Sequence, residues 1–409
     1  MALSDIYQKA SLVQIPSGYK SGTLYSVVPN TADGDFTVTG DPEGEATRVN
    51  KDGLIETVAA DVPRLDYPLL DGVVQDCPAL LLEPTRQNKV YPNNSVTGYS
   101  TIGVSTTNND AISPNGANEG AKVQATTSGT AVVFKGFTGT SGVTHNISAF
   151  VKAGTHNQIR LQEGFSASNI YVNLSTGTEV SSQNATNKKI EAYPNDWYRI
   201  SFNFTSTSTN LQFALYFSGS YTSGENIYLY GGQIEEGTYA TSLIPTSGSA
   251  ATRTEDFCYI NSGLQNTLNT SEGTLFVDVE VPRVSSTGSF ERIVLSDQNA
   301  STDRIIFDNY AGNWRALMLS GANNVNQTIV TVTANQRIKV AIAYSSTELR
   351  ISYDGNTATT TSGSYTPTTT LESFKFSNKD GGNKWQGKIY QAMYFDTALS
   401  DSELQTLTS

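Results

Sequence analysis

Residues 228–255, with the sequence YLYGGQIEEGTYATSLIPTSGSAATRTE, divide the chain into two parts. Tyr228 and Tyr230, with apolar residues around them, are typical of a half-buried strand. Pro245, Gly248 and the neighbouring small residues then end regular strand pairing. This pattern predicts the last strand of one β-rich domain, followed by a short linker that enters another domain.

The composition favours strands over helices. The chain has 409 residues, of which 37 % are hydrophobic and only 16 % are charged. A length of this kind predicts about two or three domains of roughly 100–200 residues each. Few charges, together with many β-branched and aromatic side chains, suit pleated surfaces. Helical periodicity is confined to one short C-terminal piece, and we therefore predict an all-β protein.

The charge distribution argues against binding to nucleic acid. The formal net charge is −12, and the 26 basic residues are scattered along the chain. Phosphate backbones require clustered lysine and arginine. No apolar run approaches the roughly 18 residues of a membrane-spanning helix, and the N-terminus lacks a secretory signal pattern. We therefore predict no nucleic-acid partner and no membrane insertion.

Two cysteines occur, Cys77 and Cys258, in segments that we assign to different modules. They could form a disulfide, but sequence alone does not show whether two cysteines are close together. We expect free, buried thiols instead, which agrees with synthesis in a reducing cytoplasm.

Residues 1–92, which we call the leader, differ from the rest of the chain. Short apolar runs alternate with proline and glycine turns, and Asp52-Gly53 predicts a tight hairpin. Prolines at positions 63, 68, 78 and 84 would interrupt a long strand or helix. Such a segment can hardly close a compact core by itself. We expect an extended arm that packs on neighbouring domains or neighbouring chains.

The remaining residues predict two antiparallel β-sandwiches. Strand-like runs at short intervals over 93–247 predict a jelly roll. In its run WYRISFNF, the residues Tyr198, Ile200, Phe202 and Phe204 share one face, which we expect to face the core. A linker at 248–267 leads to a second sandwich at 268–409. Ser400 and Glu403 form a capping box that begins a short terminal helix.

Residues that could support catalysis are sparse. Asp278 and Glu280 share one strand face, but the third acid of an E-x-D-x-x-E pattern is missing, and Glu235 and Glu236 point to opposite faces. The histidines, His145 and His156, have no nucleophile context, and we expect both at the surface. We assign no catalytic residue and no metal ligand, and we predict that the chain is not an enzyme.

Calcium is the one cofactor that we keep open. Asp297, Asp303, Asp308 and Asn309 are close together in sequence, and lectin-like sandwiches bind calcium through such oxygens. The D-x-D-x-D-G spacing is absent, however, and we therefore predict no bound cofactor.

Glycan binding needs an exposed aromatic ring beside polar groups. Trp314 and Trp385 lie next to Gly- and Asn-rich turns, and Tyr310 and Asn309 accompany the first tryptophan. These four residues are our candidate glycan-binding site. Packing in the core is the alternative role for both tryptophans.

Two segments resemble bacteriophage structural proteins. Residues 233–246 match the pattern Q-x-E-x-G-x-x-A-T-S-x-I-P-T, which in those proteins ends a carbohydrate-binding-module-like jelly roll. Three blocks of the leader are similar to a segment that precedes such jelly rolls in tail-fibre and virion proteins. The matching leader residues are Ala46, Thr47, Arg48, Asn50, Gly53, Leu54, Ile55, Glu56, Pro63, Arg64, Asp66, Tyr67, Cys77, Leu80, Leu81, Glu83, Arg86 and Asn88. The C-terminal sandwich looks like a laminin-G or concanavalin-A-like domain.

This resemblance implies a non-enzymatic virion structural protein, such as a tail fibre or similar appendage that binds host surface glycans. It would be made in the host cytoplasm, contact other virion proteins through residues 1–92 and form a homo-oligomer, with a trimer expected. Deleting residues 1–92 should then abolish incorporation into particles yet leave soluble sandwiches. One alternative is a head-fibre or capsid decoration protein. Another is a polysaccharide-degrading tail enzyme, which would need a compact pair of acids.

Overall fold

The computed structural model describes residues 3–20, 23–29, 32–41, 44–285, 290–297, 303–321, 323–377 and 382–409. Within these ranges the regular structure is almost entirely antiparallel β-sheet, with two short α-helices. The predicted all-β class is confirmed. Neither described helix has the length and apolar character needed to cross a bilayer.

The leader consists of short elements joined by tight turns. The Asp52-Gly53 turn joins two strands that pair antiparallel, and Gly53 has a φ of 78°, which glycine adopts without steric cost. The predicted hairpin is thus confirmed. The elements of the leader are α1 Leu3–Tyr7, β1 Leu12–Lys20, β2 Thr23–Val28, a 3-10 turn Ala32–Gly34, β3 Thr37–Thr39, β4 Thr47–Val49, β5 Ile55–Thr57, β6 Leu65–Asp66, β7 Leu69–Leu70, β8 Val73–Val74, β9 Ala79–Leu82 and β10 Arg86–Asn88.

The first sandwich follows the leader and contains two six-stranded sheets. We call the sheet with the order β11-β14-β21-β16-β17-β18 the distal sheet, and the sheet with the order β12-β13-β22-β15-β20-β19 the junction sheet. Ile200, Phe202 and Phe204 pack in the core between them, as predicted. The strands are β11 Ser100–Ile102, β12 Val104–Ala111, β13 Gly120–Ala125, β14 Val132–Thr138, β15 Thr144–Ala153, β16 Gln158–Glu163, β17 Ser168–Asn173, β18 Thr178–Gln183, β19 Thr186–Tyr193, β20 Trp197–Thr205, β21 Asn210–Phe217 and β22 Asn226–Glu236.

The second sandwich contains the remaining strands and the terminal helix. Its elements are β23 Ala251–Arg253, β24 Phe257–Ile260, a 3-10 turn Leu264–Asn266, β25 Gly273–Glu280, β26 Phe290–Ser296, β27 Arg304–Tyr310, β28 Asn313–Ser320, β29 Asn323–Thr331, β30 Arg337–Tyr344, β31 Glu348–Tyr353, β32 Thr359–Ser362, β33 Ser373–Lys375, β34 Gly387–Phe395 and α2 Asp401–Thr408.

Strands of the leader complete both sheets of the second sandwich. Strands β1 and β9 pair with β34, so that Leu12 lies opposite Tyr394 and Leu80 lies opposite Ile389. In the other sheet β3 pairs with β24. Leucines and Phe36 of the leader are fully buried in the core of this sandwich. The predicted boundary at 268 therefore leaves out strands that the second sandwich uses.

This arrangement bears on the expected behaviour of a truncated chain. The leader does pack on neighbouring domains, as its sequence indicates, but it is also part of the hydrophobic core of the second sandwich. Its deletion would expose the apolar surface that Leu12, Leu24, Phe36 and Leu82 cover. We therefore now expect removal of residues 1–92 to destabilise the second sandwich and not to leave it soluble.

Four buried charges join the leader to both sandwiches. We call Arg64, Glu83, Arg253 and Asp256 the junction cluster. Glu83 Oε2 lies 2.6 Å from Arg64 Nη1 and 2.9 Å from Arg253 Nη1, and Arg64 also pairs with Asp256. Ser242 donates its backbone N–H to Glu83 Oε1 at 2.8 Å. Two positive and two negative groups therefore neutralise one another in the interior.

The two phage-like motifs meet at this junction. Asn88 of the leader donates to the carbonyl oxygens of Gly232 and Ile244, at 3.2 and 3.0 Å. Glu235 accepts hydrogen bonds from the backbone N–H and the hydroxyl group of Thr241, at 2.8 and 2.7 Å. These buried polar groups satisfy one another's hydrogen-bonding requirements. The two motifs therefore have a structural role, since their residues connect the leader to the two sandwiches.

Replacing Arg64 by methionine should strongly destabilise the protein. Burial would raise the pKa of Glu83, but the charges of Arg253 and Arg64 outweigh it and hold the pKa well below its usual range. The change would remove one of the two cations that neutralise the buried carboxylates. The free energy of unfolding should therefore fall by about 3–5 kcal/mol. Urea denaturation of the Arg64→Met variant would measure this loss.

Arg48→Met is the matched control, because Arg48 pairs with Glu56 at a partly exposed position. It should cost about 0–1 kcal/mol. Equal, small effects of the two substitutions would contradict the structural role of the junction cluster.

The terminal helix α2 begins at the predicted capping box. Ser400 donates its backbone N–H to Glu403 Oε2 at 2.8 Å, and Leu404 and Leu407 are buried. They pack with Ile6 of α1 on the outer side of the sheet that contains β25 and β34. Glu403 also forms an ion pair with Lys9, which follows α1, so this contact links α2 to the α1 segment.

The Glu403→Gln substitution should reduce stability at neutral pH but not in acid. Burial opposes ionisation, but hydrogen bonds from Lys9 and Ser400 outweigh it and lower the pKa of Glu403 to about 2. The unfolded pKa is about 4.3. The stabilisation is therefore complete above pH ~5 and is lost as the pH falls toward ~2. Urea midpoints at pH 7, 5 and 3 should show the difference from wild type narrowing.

The Asp401→Asn variant controls for a general loss of acidic charge in α2, because Asp401 is largely exposed beside Arg350. A difference between Glu403→Gln and wild type that stayed constant over this pH range would disprove the proposed linkage.

Candidate functional site

The two tryptophans predicted to bind glycans lie in the core of the second sandwich. Trp314 is 2 % exposed and Trp385 is 0 % exposed. The ring centroid of Phe307 lies 4.9 Å from that of Trp314 and 6.2 Å from that of Trp385, and all three rings are stacked. Because their faces contact one another, these rings cannot offer a face to a sugar. The prediction of a sugar-stacking role is wrong for both, and the packing alternative holds.

The polar companions of Trp314 do not form an open site either. Asn309 is fully buried and donates to Glu291 Oε2 at 3.0 Å. Tyr310 is partly exposed and contacts Arg315, but it points to the opposite face of the sheet from Trp314, which lies across from Asn309. The four candidate residues therefore do not come together on an accessible surface.

Two of the acidic residues considered for calcium, Asp308 and Asp303, have protein partners. Asp308 accepts hydrogen bonds from Arg292 at 3.2 Å and from Arg315 at 2.9 Å. Asp303 Oδ2 accepts the backbone N–H groups of Thr368 and Thr369, both at 2.7 Å. Over the described ranges, no group of three or more His, Cys, Asp or Glu residues is arranged to hold a metal ion.

The pair considered for glycoside hydrolysis is also engaged. Arg337 forms a two-pronged contact with Asp278, with both N–O distances at 2.6 Å. Tyr390 donates its hydroxyl to Glu280 Oε2 at 3.0 Å. These contacts fix the two carboxylates to the sheet of the second sandwich.

Both histidines are buried, and the prediction that they lie at the surface is wrong. His145 stacks on Phe204 with ring centroids 5.4 Å apart, and His156 stacks on Phe217 at 5.2 Å. Each imidazole thus extends an aromatic layer of the first sandwich. His156 Nδ1 also lies 3.0 Å from Glu225 Oε2.

Both cysteines are free, as predicted, but only Cys258 is buried. Burial raises the pKa of the Cys258 thiol well above its usual value. Cys77 is exposed, so the expectation of burial is wrong for this residue.

The outer face of the distal sheet carries a surface with aromatic and polar side chains. Val133, Leu161 and Leu215 point into the core, so their neighbours in each strand point outward. Cross-strand pairing aligns these neighbours in two rows. The first row is Ile102, Val132, Tyr216, Arg160, Tyr171 and Ser181, and the second is Ser100, Phe134, Ala214, Gln162, Asn169 and Gln183.

We call Phe134, Arg160, Gln162, Tyr171 and Tyr216 the aromatic face. The guanidinium carbon of Arg160 lies 3.8 Å from the ring centroid of Tyr216 and 5.6 Å from that of Tyr171. Arg160 Nη1 also donates to the Tyr171 hydroxyl oxygen at 3.1 Å. These contacts hold a cation between two phenol rings on a rigid sheet. All five side chains are partly exposed.

The chemistry of this face suits a polar ligand with apolar edges. Aromatic rings can pack against the C–H faces of a sugar, while guanidinium and amide groups bond to its hydroxyl groups. Ile102, at the edge strand of the same face, is 52 % exposed and extends the apolar area. The alternation of polar and apolar residues predicts that Arg160 and Tyr171 point outward. The sequence does not show the strand order, however, and it is this order that brings them beside Tyr216.

A separate cleft of about 460 Å³ lies between the two sandwiches. Strands β19 and β20 of the junction sheet form one wall, and the leader and the second sandwich form the others. Lys189, Tyr193, Arg199, Asn335 and Tyr390 are among its lining residues. The sequence gives no sign of it, because its walls come from three distant segments.

No family model and no curated protein matches this chain. Among solved structures, the CBM40 of the Ruminococcus gnavus IT-sialidase is similar at 13 % identity and a TM-score of 0.31, over 36 % of this chain and 88 % of that chain. Domain 4 of AbnA, a GH43 extracellular arabinanase from Geobacillus stearothermophilus, has 18 % identity and a TM-score of 0.30, over 42 % and 83 % of the two chains. Mouse laminin α1 domains LG4-5 have 8 % identity and a TM-score of 0.26, over 64 % and 86 %. Similarity at this level assigns neither a family nor a ligand.

Proposed function

We propose that this chain is a non-enzymatic structural protein of a bacteriophage virion, and that it binds glycans of the host surface through the aromatic face. The observation that carries the binding proposal is the row in which Tyr216, Arg160 and Tyr171 lie side by side on adjacent strands. A rigid sheet holds these side chains in place, so little conformational entropy is lost when a ligand binds.

The resemblance of the leader and of residues 233–246 to virion proteins supports the structural role. The junction cluster fixes the two sandwiches to each other, as a projecting appendage requires. Attachment to other virion proteins would use those side chains of the leader that remain exposed. Val27, Leu70 and Val73 are 48 %, 64 % and 64 % exposed. We propose a homotrimer that assembles through this surface, after synthesis in the host cytoplasm.

The contacts of the acidic pair favour binding over hydrolysis. Asp278 is neutralised by Arg337, and Glu280 is held by Tyr390. A glycosidase needs one carboxylic acid and one carboxylate on opposite sides of a sugar bond. A head-fibre or capsid decoration protein could use the same exposed surface of the leader, and cryo-electron microscopy of particles would distinguish it from a tail appendage.

Alanine at Tyr216 and Tyr171 should weaken glycan binding. Each ring should contribute about 1 kcal/mol, so the double variant should bind roughly tenfold or more weakly. Binding is measured first on an array of host surface polysaccharides and then by calorimetry with the saccharide that binds. Circular dichroism confirms that the variant is folded.

The Tyr25→Ala variant is the matched control, because Tyr25 is an exposed tyrosine of the leader, far from this face in the strand order. It should bind like wild type. Unchanged binding by a folded Tyr216→Ala/Tyr171→Ala variant would reject the aromatic face as the glycan site, and so would an equal loss in Tyr25→Ala.

A further inference from the structure

Arg199 is a buried arginine that forms no ion pair with any described residue. It is 6 % exposed, and its Nη2 donates to the carbonyl oxygen of Thr241 at 2.6 Å and to Ser148 Oγ at 3.3 Å. Its Nε has no hydrogen-bond partner within the described ranges. The buried Arg64 and Arg253, by contrast, both contact carboxylates of the junction cluster.

An unpaired guanidinium is costly to bury, because neutral acceptors replace only part of its hydration. Glu191 lies opposite Arg199 on the neighbouring strand, but it is 43 % exposed and lies 3.6 Å from Lys189 Nζ instead. The Phe150 ring centroid lies 5.4 Å from the guanidinium carbon, which gives partial electrostatic compensation. Arg199 thus keeps capacity for a negatively charged partner.

Arg199 lines the cleft between the sandwiches, and most of the carboxylates in that cleft have partners of their own. Asp66 lies 2.9 Å from Lys388 Nζ, and Glu83 belongs to the junction cluster. Glu280 accepts the hydroxyl of Tyr390. Asp71, in the turn of the β7–β8 hairpin, also lines the cleft and is exposed. None of these carboxylates is paired with Arg199, so its guanidinium is available to an acidic ligand.

The other groups in the cleft suit a sugar. The amides of Asn187 and Asn335 and the phenol of Tyr193 line the same space as Arg199. Lys189 Nζ donates to Asn335 Oδ1 at 2.7 Å, which links the first sandwich to the second across the cleft. A volume of about 460 Å³ lies in the range of small-ligand pockets, which is roughly 300–1,000 Å³.

We propose that this cleft binds a saccharide that carries one carboxylate, with the carboxylate at Arg199 and the hydroxyl groups at Asn187, Asn335 and Tyr193. A guanidinium forms charge-assisted hydrogen bonds to a carboxylate, which are stronger than those to a neutral oxygen. The site is separate from the aromatic face, which lies on the other sheet of the first sandwich. Binding of an acidic saccharide in the cleft can therefore be tested independently of glycan binding at the aromatic face.

Calorimetry with the full chain tests this site, using a uronic-acid disaccharide and its neutral methyl ester. The acid should bind at least tenfold more tightly than the ester. Arg199→Gln, which retains a planar hydrogen-bonding group, should reduce binding of the acid at least tenfold. Arg350→Gln, an equivalent change at a partly exposed arginine of β31 that lines neither the cleft nor the aromatic face, should leave it unchanged. Acetate, which has the carboxylate without the sugar, should bind at least tenfold more weakly than the disaccharide.

Several results would overturn the proposal. These are no binding of the acid to wild type, equal binding of acid and ester, wild-type affinity in a folded Arg199→Gln variant, or loss of binding in Arg350→Gln. Acetate that bound as tightly as the disaccharide would show a site for small free acids instead. If Arg199→Gln does not fold, Asn335→Ala decides the question. Asn335 is exposed, and its replacement should weaken binding of the disaccharide but not of acetate.

Discussion

Arg64, Arg253, Glu83 and Asp256 meet where the leader, the exit of the first sandwich and the entry to the second sandwich come together. Each of the four side chains is almost completely buried. A charge in such a place is tolerated only with its partners present, because water no longer solvates it. The cluster therefore favours one relative placement of the two sandwiches. That placement also forms the cleft, since Glu83 and Ser242 contribute to its wall.

The topology makes the first and last parts of the chain depend on each other. Leu12 pairs with Tyr394, and β9 pairs with the same final strand β34. The leader is synthesised before β34, so its apolar residues stay uncovered until that strand is available. Such distant pairings are slow to form, because loop closure opposes them until native contacts accumulate. The leader is thus better described as part of the second sandwich than as an arm attached to it.

Much of the local structure could be predicted from the sequence. Alternation identified the core face of β20, the Asp-Gly turn fixed a hairpin, and Ser400 with Glu403 marked the start of α2. The tryptophans show where local reasoning failed. Trp314 and Trp385 adjoin flexible-looking turns, yet Trp314, Ala316 and Met318 alternate inward along β28. Strand alternation, given more weight than nearby glycines, would have placed Trp314 in the core.

The order of the strands in the sheets could not be predicted from the sequence. A period of two residues tells which side chains share a face, but not which strand lies next to which. The aromatic face depends on Tyr216 lying beside Arg160, and the cleft depends on three segments converging. Both candidate binding surfaces therefore required the structure, although their individual residues are visible as polar or aromatic positions on predicted strands.

Amide hydrogen exchange of the intact protein tests most directly whether the leader is an integral part of the second sandwich. The amides of β1 and β9 should exchange only through the same cooperative opening as those of β25 and β34, with equal free energies. Rapid exchange of β1 and β9, while β25 and β34 remain protected, would contradict the account.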